Sequence, residues 1–339
     1  MTTGPDRASL TWTASPAAGV ARYIISRGQG PHPWEANDRQ IGTVDASQTA
    51  YEDRGLRTGI ISYYTIQAED ADGHRGPASA PARTQPRVVD DVVVAVRSAS
   101  RIELTWTPPP EARDVVGYHV ERAPVEVLSE DQLVPHKKRT QPLPEPSVAA
   151  LRRIGAFVRL THEPVREPRY SDEIDLSRPR PIEGPPAWER RIPAEQLDEQ
   201  GRPYRWAVFA YRVCAINALG VEGGASPYAL TIPAAPQHLF AHERGDACDL
   251  RWAESRAPGL KGYRVYRLDG RFDNQPVSRL TAEPIAGGSF TDDRAGKSPR
   301  RYHVVAVDAL GQEGLPSAPA WHAREWRRFY EPFVGEWHQ

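Results

Sequence analysis

Three short stretches of the chain alternate large apolar with polar residues in the same way: SLTWTAS at 9–15, IELTWTP at 102–108 and CDLRWAE at 248–254. A period of two predicts strands, with Leu10 and Trp12, Leu104 and Trp106, and Leu250 and Trp252 each on one face. Eleven or twelve residues later a second alternation follows in each case: Tyr23, Ile25 and Arg27; Tyr118, Val120 and Arg122; Tyr263, Val265 and Arg267. A third signal is an aromatic residue two positions before an aspartate, at Tyr51 and Asp53, Tyr170 and Asp172, and Phe290 and Asp292. The last is a sixteen-residue template carried by YTIQAEDADGHRGPAS (64–79), YRVCAINALGVEGGAS (211–226) and YHVVAVDALGQEGLPS (302–317), which reads as a strand entering a glycine turn.

Short alternating strands, a tryptophan near the start of each unit, intervening turn signals and about 100 residues per unit meet the requirements of a two-sheet antiparallel sandwich. The chain resembles three tandem fibronectin type III domains. Trp12, Tyr23, Ala68, Asp70, Gly73 and Ser79 match the family pattern in the first copy. Trp106, Tyr118, Ala215, Asn217, Gly220 and Ser226 match it in the second, and Trp252, Tyr263, Ala306, Asp308, Gly311 and Ser317 in the third. Where the family carries a corner tyrosine six residues before the alanine, this chain has Ser62, Phe209 and Arg300, so the corner hydrogen bond is expected to be altered in all copies. The fold class expected is all-β, three immunoglobulin-like sandwiches.

The resulting division is 1–86, 87–235 and 236–320, followed by a tail at 321–339. Copies two and three open with apolar runs, DVVVAV (91–96) and HLFAH (238–242), but MTTGPDRASL has none, so the first copy is expected to lack its opening strand. An upstream segment lost from the sequence would account for that, and for a missing secretion signal. Copy two is enlarged: Tyr118 to Tyr170 spans 52 residues against 28 and 27 for the corresponding pairs, and Asp172 to Tyr211 spans 39 against 11 and 10. Insertions are therefore placed near 124–167 and 174–203, with apolar anchors at Val125, Val127, Leu128, Ile182 and Trp188; surface loops absorb such length at small entropic cost.

The tail is aromatic. Trp326, Phe329, Tyr330, Phe333, Val334 and Trp337 fall at helical spacing, but Pro332 and Gly335 oppose a helix, and a short irregular segment is expected. Trp188, Trp321, Trp326, Phe329, Tyr330, Phe333 and Trp337 are the candidate partner-binding residues, because aromatic anchors dominate contact surfaces.

Composition narrows the function without naming it. A net charge of −1 and pI near 6.8 supply no field for nucleic acid, and no apolar run is long enough to span a membrane. Cys214 and Cys248 form no metal spacing and are expected as free thiols. The ten histidines are dispersed, no nucleophile elbow or phosphate loop is present, and the carboxylate pairs Asp172–Glu173 and Asp292–Asp293 sit at strand ends as turn chemistry. Arg244-Gly245-Asp246 and Asp70-Ala71-Asp72-Gly73 read as turns, and no catalytic residue, cofactor or metal site is expected. The resemblance implies a non-catalytic binding or spacer protein working through protein contacts, similar to bacterial envelope lipoproteins and surface proteins, located in the cell envelope or outside the cell. No lipid-attachment motif is visible. The alternative is an accessory region of a secreted polysaccharide-degrading enzyme.

Overall fold

The computed structural model describes residues 1–109, 113–129, 150–177, 207–255, 257–269 and 277–322. The alternating runs are strands of three successive two-sheet sandwiches. The first contains β1 (Thr2–Gly4), β2 (Arg7–Thr11), β3 (Val20–Gln29), β4 (Arg39–Asp45), β5 (Ala50–Arg54), β6 (Ser62–Asp70) and β7 (Ala82–Arg83). Its sheets run β1-β2-β5 and β4-β3-β6-β7. The second contains β8 (Asp90–Ser98), β9 (Arg101–Thr107), β10 (Val115–Ser129), β11 (Ala150–Ile154), β12 (Val158–Arg159), β13 (Arg169–Glu173), β14 (Val208–Asn217) and β15 (Ala229–Leu230). Its sheets run β13-β9-β8 and β11-β10-β14-β15, with β12 also on β10. The third contains β16 (Gln237–Arg244), β17 (Ala247–Ala253), β18 (Leu260–Asp269), β19 (Val277–Arg279), β20 (Ser289–Asp292), β21 (Arg300–Asp308) and β22 (Ala320–His322). Its sheets are β16-β17-β20 and β19-β18-β21-β22.

The period-two reading holds strand by strand. In β9, Ile102, Leu104 and Trp106 are buried while the residues between them are not, and in β17 the same is true of Cys248, Leu250 and Trp252. Each tryptophan meets the tyrosine of the facing sheet edge-on: Trp12–Tyr23 at 5.5 Å, Trp106–Tyr118 at 5.2 Å and Trp252–Tyr263 at 5.5 Å between ring centres. Such a contact adds to the burial of both rings. Trp106 and Trp252 are buried, whereas Trp12 is only partly so.

The three remaining repeated positions converge. Arg27 Nη1 and the Tyr64 hydroxyl both donate to Asp53 Oδ2, each at 2.7 Å. Arg122 and Tyr211 do the same to Asp172 Oδ2 at 2.6 Å, and Arg267 and Tyr302 to Asp292 Oδ2 at 2.8 Å. A buried carboxylate, a buried tyrosine and an arginine therefore stitch three strands of every sandwich: β3, β5 and β6 in the first, β10, β13 and β14 in the second, and β18, β20 and β21 in the third. Burial followed by the aspartate's hydrogen bond and charge holds each tyrosine proton well above the ordinary phenol range.

Two expectations are corrected. The first copy does have an opening strand: β1 pairs antiparallel with β2 from Thr2↔Ser9 to Gly4↔Arg7. Besides the backbone ladder, the amide and hydroxyl of Thr3 donate to Asp114 Oδ2 at 2.9 and 2.8 Å, and such polar contacts are announced by no apolar alternation. The third sandwich also runs two residues past 320, since Trp321 and His322 lie in β22, paired with Arg301 and Arg300.

The first insertion begins as a strand extension, with β10 continuing past the sandwich to pair Val125↔Ile154 through Ser129↔Ala150. Residues 130–149 and 178–206 lie outside the described residues. Both cysteines are free and buried; burial pushes the Cys214 thiol up to about 11 and that of Cys248 up to about 12. Arg244 and Ala247 close the hairpin between β16 and β17, with Gly245 at φ 67°, so the Arg-Gly-Asp tripeptide is a turn.

Candidate functional site at the joints between sandwiches

The sixteen-residue template ends in the turn between the last two strands, and in copies two and three that turn is built into the preceding sandwich. Its Asn217 accepts the amides of Leu219 and Val221 at Oδ1, at 3.1 and 3.0 Å, which shapes the turn, while Nδ2 donates across the joint to the Thr84 carbonyl at 2.6 Å. The tip then enters the first sandwich. Leu219 and Val221 are buried in one cluster with Ala8, Leu10, Ile25, Leu56 and Tyr64, and Gly59 N–H donates to the Leu219 carbonyl at 3.1 Å.

The second joint repeats the plan. Asp308 Oδ1 accepts the amides of Leu310 and Gln312, both at 2.9 Å, and Gln312 Nε2 donates to the Thr231 carbonyl at 3.2 Å. Leu310 packs against the core of the second sandwich, and Leu315 against Val125, Val208, Ala210 and Ile232. Each linker threonine thereby faces two ways. Its hydroxyl accepts an amide of its own sandwich, Ser62 N–H to Thr84 at 2.9 Å and Phe209 N–H to Thr231 at 3.0 Å, and its carbonyl is taken by the next.

This arrangement explains the template position by position. The serine hydroxyls of Ser79, Ser226 and Ser317 accept the amides of Ile66, Val213 and Val304, continuing the sheet where the last strand stops. The first glycine takes a left-handed conformation, and the second lies against the linker: a Cβ on Gly314 would stand 2.1 Å from the Pro233 carbonyl oxygen. Copy one departs where the joint would be. Asp72 stands at the position of Leu219 and Leu310, His74 at that of Val221, and its turn is exposed.

In that turn Asp70, Asp72 and His74 bring ligand-type atoms within 4.8 Å of one another. Asp70 is already engaged, accepting the His74 amide at 2.9 Å and facing its Nδ1 at 3.1 Å, and the His74 amide holds the carboxyl below its ordinary range. These residues form the hairpin turn read from the sequence, with Gly73 N–H donating to the Asp70 carbonyl at 3.3 Å.

A three-stranded sheet on one of four or five strands, with the tryptophan at the second strand on the tyrosine of the third, is common to all three units, and in copies two and three the final hairpin also caps the linker. Each unit has the fold of a fibronectin type III sandwich. The FN1–FN3 domains of chicken CNTN1 are 14% identical, with 95% of each chain covered and a TM-score of 0.24. A Fn3-like protein from Clostridium thermocellum is 33% identical over 26% of this chain and 90% of its own, with a TM-score of 0.22. No family model and no curated protein matches the chain.

Of the aromatic residues singled out from sequence, Trp321 is described: it sits in β22 of the third sandwich with the Arg301 guanidinium 5.6 Å above its ring. Trp188, Trp326, Phe329, Tyr330, Phe333 and Trp337 lie outside the described residues. The joint residues were missed by sequence reasoning, although the leucine at the turn tip of copies two and three against aspartate in copy one was the available signal.

The second joint carries an electrostatic cost absent from the first. Burial pushes the Asp308 carboxyl above its ordinary range against the opposing amides of Gln312 and Leu310, and its Oδ2 meets no hydrogen-bond partner among the described residues. Asp308→Asn restores the amide found at Asn217 and is expected to stabilise the chain at pH 7 by about 1–3 kcal/mol. The native carboxyl binds its proton more tightly folded than unfolded, so stability falls as pH rises from about 4, the unfolded value, through the higher folded one. Thermal melts at several pH values check this: the variant loses that slope. An unchanged slope would count against it.

Proposed function

We propose that this chain is a non-catalytic spacer and binding protein whose mechanical element is the interlocked joint, and that it acts through protein contacts in a cell envelope or outside the cell. The observation that carries the reading is the burial of Leu219 and Val221 in the hydrophobic cluster of the preceding sandwich. A flexible string of beads has no use for such a contact, since interfaces between independently moving domains are smaller and more polar. The candidate aromatic residues, Trp321 and those of the tail beyond it, supply the contact surface in this reading.

Leu219→Ala is the test, with Leu310→Ala as its counterpart at the second joint. The Leu219 change removes a fully buried side chain and is expected to cost about 2–5 kcal/mol. Loss of the joint appears as faster proteolysis at residues 84–87 and as broader interdomain distances in solution scattering, with the cores of copies two and three unaffected. Unchanged cleavage and scattering would sink the spacer reading. Deleting residues 323–339 and following surface fractionation tests the envelope part separately.

A further inference from the structure

The two joints are built on one template but differ in the atom aimed at the linker. At the first, Asn217 Oδ1 takes two turn amides and leaves Nδ2 to donate to the Thr84 carbonyl at 2.6 Å. At the second, Asp308 Oδ1 takes the corresponding amides, of Leu310 and Gln312, both at 2.9 Å. A carboxylate is planar, so its Oδ2 falls where Nδ2 stands in the first joint, on the side of the linker carbonyls. Oxygen thus opposes oxygen. The Thr231 carbonyl is claimed instead by Gln312 Nε2 at 3.2 Å, from the position that Val221 holds in the first joint.

Two acceptors are left over in the buried interior of this joint. Asp308 is 5% exposed and Gln312 4%, and neither Asp308 Oδ2 nor Gln312 Oε1 meets a hydrogen-bond partner among the described residues. No cation among the described residues compensates the Asp308 charge. β18 sets Leu260 opposite it, the linker presents the carbonyls of Thr231 and Pro233 to the turn, and Lys261 is exposed. The other charged residue of the turn, Glu313, is paired with Arg264 and accepts the Tyr266 hydroxyl. Burial outweighs the two amides, so the carboxyl holds its proton above the ordinary carboxylate range. A proton on Oδ2 makes that atom a donor, as Nδ2 is at the first joint, and removes an unpaired buried charge.

We infer that the second joint is a proton-operated lock: a proton on Asp308 Oδ2 closes the turn of the third sandwich onto the linker, and its loss loosens that joint while the first, built on Asn217, stays closed. The chain therefore stiffens on acidification at one joint of the two. This rests on the reading of the interlocked joint as the mechanical element of a spacer, and gives that element a regulator. The sign follows from the burial. A carboxyl that binds its proton more tightly in the closed joint than in the open one favours closure fully below the open value of about 4, and the contribution is lost as pH rises through the higher closed value.

Spin labels on introduced cysteines read each joint separately in the full chain. Ser47→Cys with Thr107→Cys spans the first joint and Thr107→Cys with Ser289→Cys the second; all three positions are exposed, while the native Cys214 and Cys248 are buried. Pulsed dipolar distances are recorded from about pH 5 to pH 8, above the range in which the depressed Asp292 carboxyl takes up its proton. The second-joint distribution is expected to be about twofold narrower at the acid end, with the first-joint width unchanged. Asp308→Asn gives the narrow second-joint distribution at both ends. A pH response that survives Asp308→Asn, or an equal change at both joints, would overturn the lock. A narrow second joint at every pH leaves the spacer standing without its regulator, and broad distributions at both joints at every pH remove the two together.

Discussion

Replacing Asp292 by alanine is expected to destabilise the third sandwich by about 3–5 kcal/mol, because breaking a buried ion pair leaves its partner charge uncompensated. The side chains of Asp292 and Arg267 are 6% and 15% exposed, and Tyr302 is fully buried. The aspartate accepts from Arg267, from the Tyr302 hydroxyl and, at Oδ1, from the Arg294 amide at 3.0 Å, so one substitution removes an acceptor from three donors. Arg267 keeps Asp269 Oδ1 at 2.9 Å, which places the loss toward the lower end of the range. Tyr302→Phe removes a single hydrogen bond to a charged acceptor and costs about 1.5–3 kcal/mol.

The same group sets an acid limit. Burial raises the Asp292 carboxyl, but the bonds from Arg267, Tyr302 and the Arg294 amide outweigh it and hold the group below its ordinary range. A depressed folded value means the stabilisation is complete above the unfolded value near 4 and is lost as pH falls through the folded one. Urea titrations at neutral and acid pH measure both effects, and Asp292→Ala flattens the acid dependence. A wild-type stability for this variant at pH 7 would remove the triad from the account of the fold.

The second large effect is Trp252→Ala, expected to cost about 3–5 kcal/mol through lost burial and the cavity left behind. Trp252 is 6% exposed and closes on Tyr263 across the sandwich. Trp12→Ala costs less, since its ring is only partly buried before substitution. Urea unfolding of the full chain, with cleavage patterns to assign each transition, gives the ordering. Equal losses at Trp12 and Trp252 would contradict the difference in burial between the two rings.

The sandwiches were legible because alternation reveals which residues share a face: Leu104 and Trp106, or Leu250 and Trp252, mark the inner side of a strand whatever its neighbours. Alternation carries no register, so the meeting of Arg122, Asp172 and Tyr211 from three strands could not be read. Asp172 and Asp292 looked like turn chemistry, and each is the centre of a buried triad. The altered corner was recognised at Ser62, Phe209 and Arg300, and the tyrosine two residues further along each strand anchors the sandwich instead. The joint was hidden for a different reason. Leu219 sits in a turn between Ala218 and Gly220, where no alternation marks a face, and only the tertiary arrangement supplies its apolar surroundings. The candidate aromatic site gained a location for Trp321 alone.

The threaded joint also orders events during synthesis. Asn217 reaches the Thr84 carbonyl across 133 residues, and Leu219 and Val221 complete the cluster around Leu10, Leu56 and Tyr64. The first sandwich therefore leaves the ribosome with a hydrophobic face uncovered and a linker carbonyl unclaimed until the second is almost finished. At about 5–20 residues per second the wait is on the order of ten seconds. Over that interval the nascent first copy presents an apolar patch to chaperones, and the chain's maturation proceeds as a relay in which each new sandwich seals the one made before it.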